Sequence, residues 1–444
     1  MRNPIPFFLF RPILCVPLCF LIFLAFSLNA QNNSYFPPVQ GTEWDTLHPE
    51  ELNWCADSLL SLHAFLESTQ TKAFIILKGG KRVYETYFDA FTQDSFWYWA
   101  SAGKTLTAFL IGKAAEEGVV DIHKPSSHYL GVGWTAMDSA QESLITPFHQ
   151  LTMTTGLDFT NPNANCTTPE CLQYRSDPGS EWYYYNAPYL LLQDVIEAAT
   201  NRSMNTYTFT TLAQQTGITG FWNNQGVFFS RPRSMARFGI LIANKGFWNG
   251  NTVLHDTSYL NAMVSPSQTL NPSYGYLWWL NGQPSYRLPV LTQLFTGPLT
   301  PEAPSDMFSA KGRDNQRLYI VPSQDLIVVR MGNPDTEIPA LGPSGFDNLL
   351  WKKLQNLECK PTHIGNPNTT RSNVYVFPNP GFGNYTIEGN NPVIQYTIKN
   401  AVGQHVIQGV GNEFNLSLYE SGIYYVHILL ENNRVKICKI AHTP

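Results

Sequence analysis

Ser101-Ala102-Gly103-Lys104 places a hydroxyl and an amine three positions apart. The tetrad lies between the aromatic run Phe96-Trp97-Tyr98-Trp99 and a helix-like stretch from Thr105 to Glu117. Residues i and i+3 share a helix face, so the Lys104 amine can reach the Ser101 hydroxyl. The orphan N–H groups of a first turn and the helix dipole favour a developing oxyanion at the same place. Such a group suits acyl transfer, where a hydroxyl nucleophile needs a base, a proton donor for the leaving group and an oxyanion hole. Lys104 serves as base only when neutral near pH 7, and burial shifts a lysine in that direction. An S-x-x-K match by itself is weak, because a serine at a helix start is commonly a cap. Its weight comes from the segments around it.

The elements that must hold the pair can be read from periodicity. Leu52 to Glu67 predicts an amphipathic helix with Leu59, Leu62, Phe65 and Leu66 on its apolar side. Residues 73–77 and 82–88 flank Gly79-Gly80, a strong hairpin signal. The helix after Ser101 stops at Gly118, a favourable C′ residue. Helices follow over Tyr189–Thr200 and Ser234–Asn244, then strands over Tyr276–Leu280, Arg317–Val321 and Leu326–Met331, then a last helix over Phe346–Leu357. This order predicts an α+β fold, one antiparallel sheet flanked by helices, with a helical subdomain between the strand groups. Residues 361–373 are polar and rich in Asn, Thr and Pro, as in a linker. Beyond them, short alternating runs such as Val374–Phe377 and Gly422–Leu430, separated by Gly/Asn turns, predict a small β-sandwich over 374–444.

At 444 residues the chain has room for two domains. Charged residues make up 14% and aromatics another 14%, a balance more common outside the cell than in the cytosol. Residues 1–30 read as a secretory signal: Arg2 and Arg11, an uncharged apolar run from Pro12 to Leu28, and Ala30 at the cleavage point. Pro17 interrupts that run and it is short for a membrane span, so no stable span is expected after cleavage. Cleavage takes two Arg and no acids, moving the net charge from −5 to −7, and no basic patch suggests nucleic acid. No C-x-x-C or H-E-x-x-H spacing appears, so neither a metal nor another cofactor is expected. Five cysteines remain. Cys166 and Cys171 share one loop and could staple it, while Cys438 is left over.

Pro178-Gly179-Ser180-Glu181-Trp182-Tyr183-Tyr184-Tyr185-Asn186 resembles the Y-x-N segment of the serine β-lactamase family, which includes class C β-lactamases, D-alanyl-D-alanine peptidases, esterases and nylon-oligomer hydrolases. The S-x-x-K pair is the acylation device of these penicillin-recognising enzymes. His149-Gln150-Leu151-Thr152-Met153-Thr154-Thr155-Gly156-Leu157 and Tyr274-Gly275-Tyr276-Leu277-Trp278-Trp279 look like two further family segments in the right order. Together the likeness covers roughly Glu51 to Leu357. It implies Ser101 as nucleophile, Lys104 as base and Tyr184 as proton relay, with Asn186 positioning Lys104 and substrate. The third family motif departs from K-T-G. Its best match is Gly312-Arg313-Asp314-Asn315-Gln316, with Arg313 in the cationic position, Lys311 as its rival, and the Gln316 N–H as second oxyanion donor. Asn315 stands where Gly is usual and would crowd the substrate carbonyl.

The implied function is an exported serine hydrolase acting on a small-molecule or short-peptide ester or amide. Asp314 and Asn315 also motivate an alternative, a binding or sensory protein that keeps the fold without the chemistry. Trp99 spoils a G-x-S-x-G elbow, and the S-x-x-K scheme requires no histidine. In a β-lactamase-like fold the first and last helices lie side by side, which implies a Cys55–Cys359 bridge as well. Phe377-Pro378-Asn379-Pro380, Ile398–Gln404, Asn415–Tyr425 and Lys436–Ile440 resemble, in order, the C-terminal sorting domain of the type IX (Por) secretion system. That likeness implies the type IX machinery as partner and a secreted or cell-surface location. The expected domains are therefore a signal peptide (1–30), a hydrolase (31–360), a linker (361–373) and a sorting domain (374–444).

Overall fold

The computed structural model describes residue 1 and residues 34–334, 345–359, 374–389, 391–401, 403–431 and 435–443. The expected signal peptide and linker lie outside the described residues. The chain forms two compact units, 1–359 and 360–444.

In chain order, the elements of the first unit that matter here are α1 (Ala56–Ser68), β1 (Thr71–Lys78), β2 (Lys81–Tyr87), β3 (Trp97–Tyr98), α2 (Lys104–Glu116), α3 (Asn186–Thr200), β4 (Gly220–Trp222), β5 (Phe228–Ser230), α4 (Pro232–Ala243), β6 (Trp279–Leu280), β7 (Phe308–Gly312), β8 (Gln316–Val321), β9 (Leu326–Gly332) and α5 (Phe346–Gln355). Six strands make one antiparallel sheet in the order β2-β1-β9-β8-β7-β6.

Both faces of this sheet are covered, so its central strands are buried and mostly apolar. Period-two alternation sorts their residues between two cores. Ala73, Ile75, Leu77, Leu318, Ile320, Ile327 and Val329 face the core shared with α2 and α4. Phe74, Ile76, Tyr319, Val321 and Val328 face Leu62 and Leu66 of α1 and Leu350, Trp351 and Leu354 of α5. Leu62 and Leu66 are fully buried. Each contributes roughly 1.5–3 kcal/mol on burial, enough to pin α1 to the sheet. The β1–β2 hairpin turns at Gly79 and Gly80, with φ 56° and 81°. Two consecutive positive φ values are the requirement of a type I′ turn, which is why glycines occupy them.

Two boundaries moved from the sequence reading. The first helix starts at Ala56 because Trp54 bridges to Glu358 and the Cys55 N–H donates to Leu357 O at 2.8 Å. The strand expected over Tyr276–Leu280 shrinks to Trp279–Leu280, since Leu277 has a positive φ of 61°. Phe308–Gly312 is a strand that the reading did not identify.

The second unit has β10 (Val374–Phe377), β11 (Asn384–Gly389), β12 (Val393–Asn400), β13 (His405–Gly409), β14 (Glu413–Asn415), β15 (Gly422–Leu430) and β16 (Val435–His442). They form a three-stranded sheet, β10-β11-β14, and a four-stranded sheet, β13-β12-β15-β16. Their inward residues, among them Val376, Tyr385, Ile398, Val426 and Ile428, make one core, as a small β-sandwich requires.

Cys55 and Cys359 are bonded with Cα atoms 5.0 Å apart, and Cys166 and Cys171 with Cα atoms 5.9 Å apart. Cys438 is the unpaired cysteine among the described residues. The first bridge spans 304 residues of sequence and so restrains nearly the whole unit. Replacing both partners by Ser should destabilise the first unit by about 2–5 kcal/mol, read as a lower midpoint in thermal or urea unfolding. An unchanged midpoint would refute a stabilising role.

Candidate active site

The turn that carries Ser101 is set by Trp99. Its ring is fully buried, its Nε1 donates to Ser230 Oγ at 2.8 Å, and its N–H donates to Phe228 O at 2.8 Å. Ala100 then takes a positive φ of 47°, a left-handed conformation that costs a non-glycine residue about 1 kcal/mol or more. A 3₁₀ turn, Ala100–Gly103, runs straight into α2. The Ala102 N–H closes that turn on Trp99 O at 3.0 Å, and the Ser101 N–H lies one residue ahead of this bond.

Lys104 opens α2 with only 4% of its surface exposed. Its Nζ donates to Ser101 Oγ at 3.2 Å and to Asn186 Oδ1 at 2.9 Å. The same Nζ sits 4.1 Å from the centre of the Tyr189 ring and 5.2 Å from that of Tyr184. Burial lowers its pKa from the ordinary lysine value to about 7. The Tyr184 hydroxyl is raised above the usual tyrosine range by burial, and a hydrogen bond with Ser101 opposes that rise. Ser101, Lys104, Tyr184 and Asn186 therefore meet in one place.

The His149–Leu157 segment acts as a rack for this group. The Gly179 N–H donates to Thr154 O at 2.8 Å and the Tyr183 N–H to Met153 O at 3.1 Å. Gln150 Nε2 donates to Pro188 O at 2.8 Å, fixing the start of α3, whose first residue is Asn186. The Leu277 N–H donates to Leu151 O at 3.1 Å, bringing in the Tyr274–Trp279 segment. Tyr184 then stacks on Trp279 with centroids 5.8 Å apart and 20° between planes.

The third motif closes the other side. A Cβ on Gly312 would lie 2.3 Å from Trp99 O and 3.0 Å from the Ala102 nitrogen, so the end of β7 packs directly on the turn that carries Ser101. Asp314 and Asn315 follow with φ of 59° and 58°, and the Gln316 N–H donates back to Arg313 O. That is the pattern of a type I′ turn, where Asp and Asn are the best-tolerated residues after glycine. Asn315 thus sits in a turn where Asn is accepted.

Gln316, and Lys311 as the rival of Arg313 for the cationic position, both have partners within the fold. Gln316 is fully buried, with Nε2 donating to Gly332 O at 2.7 Å and Oε1 accepting from the Gly332 N–H. Its own N–H is given to Arg313 O, so that N–H is already paired, and the residue fixes the hairpin. Lys311 points to the opposite sheet face, where its Nζ lies 3.2 Å from Asp347. Burial lowers the Lys311 pKa, with the Asp347 carboxylate opposing. Arg317 shares Asp347 at 2.6 Å. The Arg313 side chain is 84% exposed and lies 3.5 Å from Asp314.

The sequence reading missed Tyr189 and Tyr98. Tyr189 stands three residues after Asn186 on one helix, a spacing that places both on one face. The Tyr98 hydroxyl donates to Asp314 Oδ2 at 2.7 Å, a long-range contact with no local signal. A cavity of about 490 Å³ between Trp54, Leu354 and Leu357 includes none of these residues. Among the described residues no three His, Cys, Asp or Glu are placed to hold a metal ion, and no helix is long and apolar enough to cross a membrane.

Residues 64–341 match the Beta-lactamase family, and residues 375–441 match the Secretion system C-terminal sorting domain. Among solved structures, the chain is similar to a protein from Bacillus anthracis described as a 6-aminohexanoate-dimer hydrolase. That match has 18% identity and a TM-score of 0.54 and covers 73% of this chain and 88% of the other. It is also similar to one from Bacteroides dorei described as a beta-lactamase, with 16% identity and a TM-score of 0.54 over 68% of this chain and 99% of the other. The sheet with its helices is thus the β-lactamase/transpeptidase fold. The chain belongs to the beta-lactamase family and carries a C-terminal sorting domain that marks it for export to the cell surface or medium.

The close approach at Gly312 generates a prediction. Gly312→Ala forces β7 away from the turn that carries Ser101 and should cut ester turnover by about a hundredfold, the usual cost of a displacement near 1 Å. Circular dichroism should show the fold retained. Full turnover in that variant would contradict the packing role.

Proposed function

We propose that this protein is an exported serine hydrolase that cleaves an ester or linear amide through an acyl-enzyme. The observation that carries this reading is Lys104 Nζ, buried and in hydrogen-bond reach of both Ser101 Oγ and Asn186 Oδ1. A lysine with a pKa near 7 is substantially neutral at physiological pH and can accept the serine proton. Ser101 Oγ then attacks the carbonyl carbon, and the oxyanion takes hydrogen bonds from the Ser101 N–H and from the Arg313 N–H, the first peptide past Gly312. Tyr184 passes the proton from Lys104 to the leaving group as the tetrahedral intermediate collapses. Water, activated by the same pair, releases the acid and frees Ser101. Asn186 holds Lys104 in line throughout.

An ester or amide substrate is favoured over a β-lactam by the third motif. Lys311 lies on the far sheet face and the Arg313 side chain is in solvent, so neither supplies a buried cation beside Ser101. The non-catalytic alternative loses its motive, because Asp314 and Asn315 fit the turn they occupy.

A fluorophosphonate should label the wild-type chain on Ser101 and leave Ser101→Ala unlabelled. Persistent labelling of Ser101→Ala, or none of the wild type, refutes the assignment. The sign of the pH dependence also follows. Lys104 is the active base when unprotonated, so kcat/KM should rise with pH and level off above an apparent pKa near 7. A flat profile from pH 5 to 9 would contradict it.

We infer further that the hydrolase extends over 31–360 and the sorting domain over 374–444. A chain ending at Thr362 should keep its turnover but remain in the periplasm of a type IX-competent host. Normal export of that chain would show that the C-terminal unit is not the sorting signal.

A further inference from the structure

The solvent face of the small β3-β5-β4 sheet is a patch of aromatic rings. β3 pairs with β5 through Tyr98 and Phe229, and β5 with β4 through Phe229 and Phe221. Trp99, Phe228 and Trp222 go into the core, leaving Tyr98, Phe229 and Phe221 on the other face. Phe96 joins them. Ring centroids step from Tyr98 to Phe229 at 6.1 Å, to Phe221 at 5.3 Å with planes only 7° apart, and to Phe96 at 6.0 Å. Phe221 is 46% exposed and Phe96 43%. The solvated face of an antiparallel strand set is normally polar, and clustered exposed apolar rings mark a binding surface.

One edge of this patch adjoins the turn that carries Ser101. Tyr98 stands three residues before Ser101, and the Tyr98 hydroxyl is bonded to Asp314 in the turn after Gly312. Phe96, two residues before Tyr98, has the Arg231 guanidinium 5.3 Å from its ring centre. Arg231 is itself paired with Asp94 at 3.5 Å, and Arg313 with Asp314. Both cations have carboxylate partners, so charge gives no preference for an anionic ligand. The four rings form one patch, and Tyr98, three residues before Ser101 and bonded to the turn after Gly312, favours a chain attached to the reacting carbonyl.

We propose that Tyr98, Phe229, Phe221 and Phe96 form the acyl-chain subsite of Ser101, taking an uncharged aryl-alkyl or long alkyl group. This rests on the serine-hydrolase reading above and adds a substrate class to it. Stacked and edge-on ring contacts then give longer acyl groups a larger share of transition-state binding.

The test compares p-nitrophenyl acetate with p-nitrophenyl 4-phenylbutyrate on the full chain. Wild type should prefer the longer ester in kcat/KM. Phe221→Ala, at a largely exposed position, should lower that preference by about tenfold and be rescued by Phe221→Tyr. A second readout needs no turnover: N-methyl-4-phenylbutanamide, uncharged and unreactive, is titrated calorimetrically into wild type, Ser101→Ala and Phe221→Ala. The first two should bind it alike and Phe221→Ala several-fold more weakly. Unchanged ester preference, or amide binding in Phe221→Ala and Phe229→Ala as tight as in wild type, overturns the subsite. Absent fluorophosphonate labelling alongside weakened amide binding in Phe221→Ala would fail the catalytic reading and leave the binding patch standing.

Discussion

An amine kept out of water without a carboxylate is the constraint on which this structure turns. Lys104 has a serine oxygen, an amide oxygen and two ring faces for company, and among the described residues no acid pairs with it. Its charge therefore has little to offset the loss of hydration, and the proton is held loosely. The same fact bears on stability. The folded pKa lies below that of an unfolded lysine, so the unfolded chain binds more protons between them. The cost of burying Lys104 is fully present below about pH 7 and falls as pH rises from there toward the ordinary lysine value.

Maintaining that environment explains features that otherwise look unrelated. Trp99 and Ser230 lock the entry to α2, and a left-handed Ala100 turns the chain into the 3₁₀ turn that carries Ser101. The His149–Leu157 segment has no chemistry of its own, yet its carbonyls fix the Y-x-N loop. The hairpin after Gly312 is braced from behind: Gln316 clasps Gly332, and Arg317, Lys311 and Tyr319 converge on Asp347. Burial would raise Asp347, but the two cations outweigh it and hold the carboxylate ionised. That network stiffens the strand that faces Ser101 while lying on the other side of the sheet.

What could be read in advance followed the range of the signal. S-x-x-K is local, and its i, i+3 spacing is enough to bring the Lys104 amine to the Ser101 hydroxyl. The Y-x-N loop was legible because Pro-Gly and Trp182 frame it. Both disulfides were foreseen, Cys166–Cys171 from its short loop and Cys55–Cys359 from the family likeness. The setting of Lys311 could not be read in advance. The strand Phe308–Gly312 went unrecognised, and without it the alternation that sends Lys311 to the far face was invisible. Tyr98 and Asp314 are 216 positions apart and carry no shared pattern, so only the folded chain brings them together.

The state of one proton decides the account most directly. Nitrogen-15 NMR of the side-chain amines, with Lys104→Met to assign the resonance, follows Lys104 Nζ through a pH titration. The account predicts a midpoint near 7, well apart from the exposed lysines. A midpoint near 10.5, with Lys104 titrating among the rest, would contradict it.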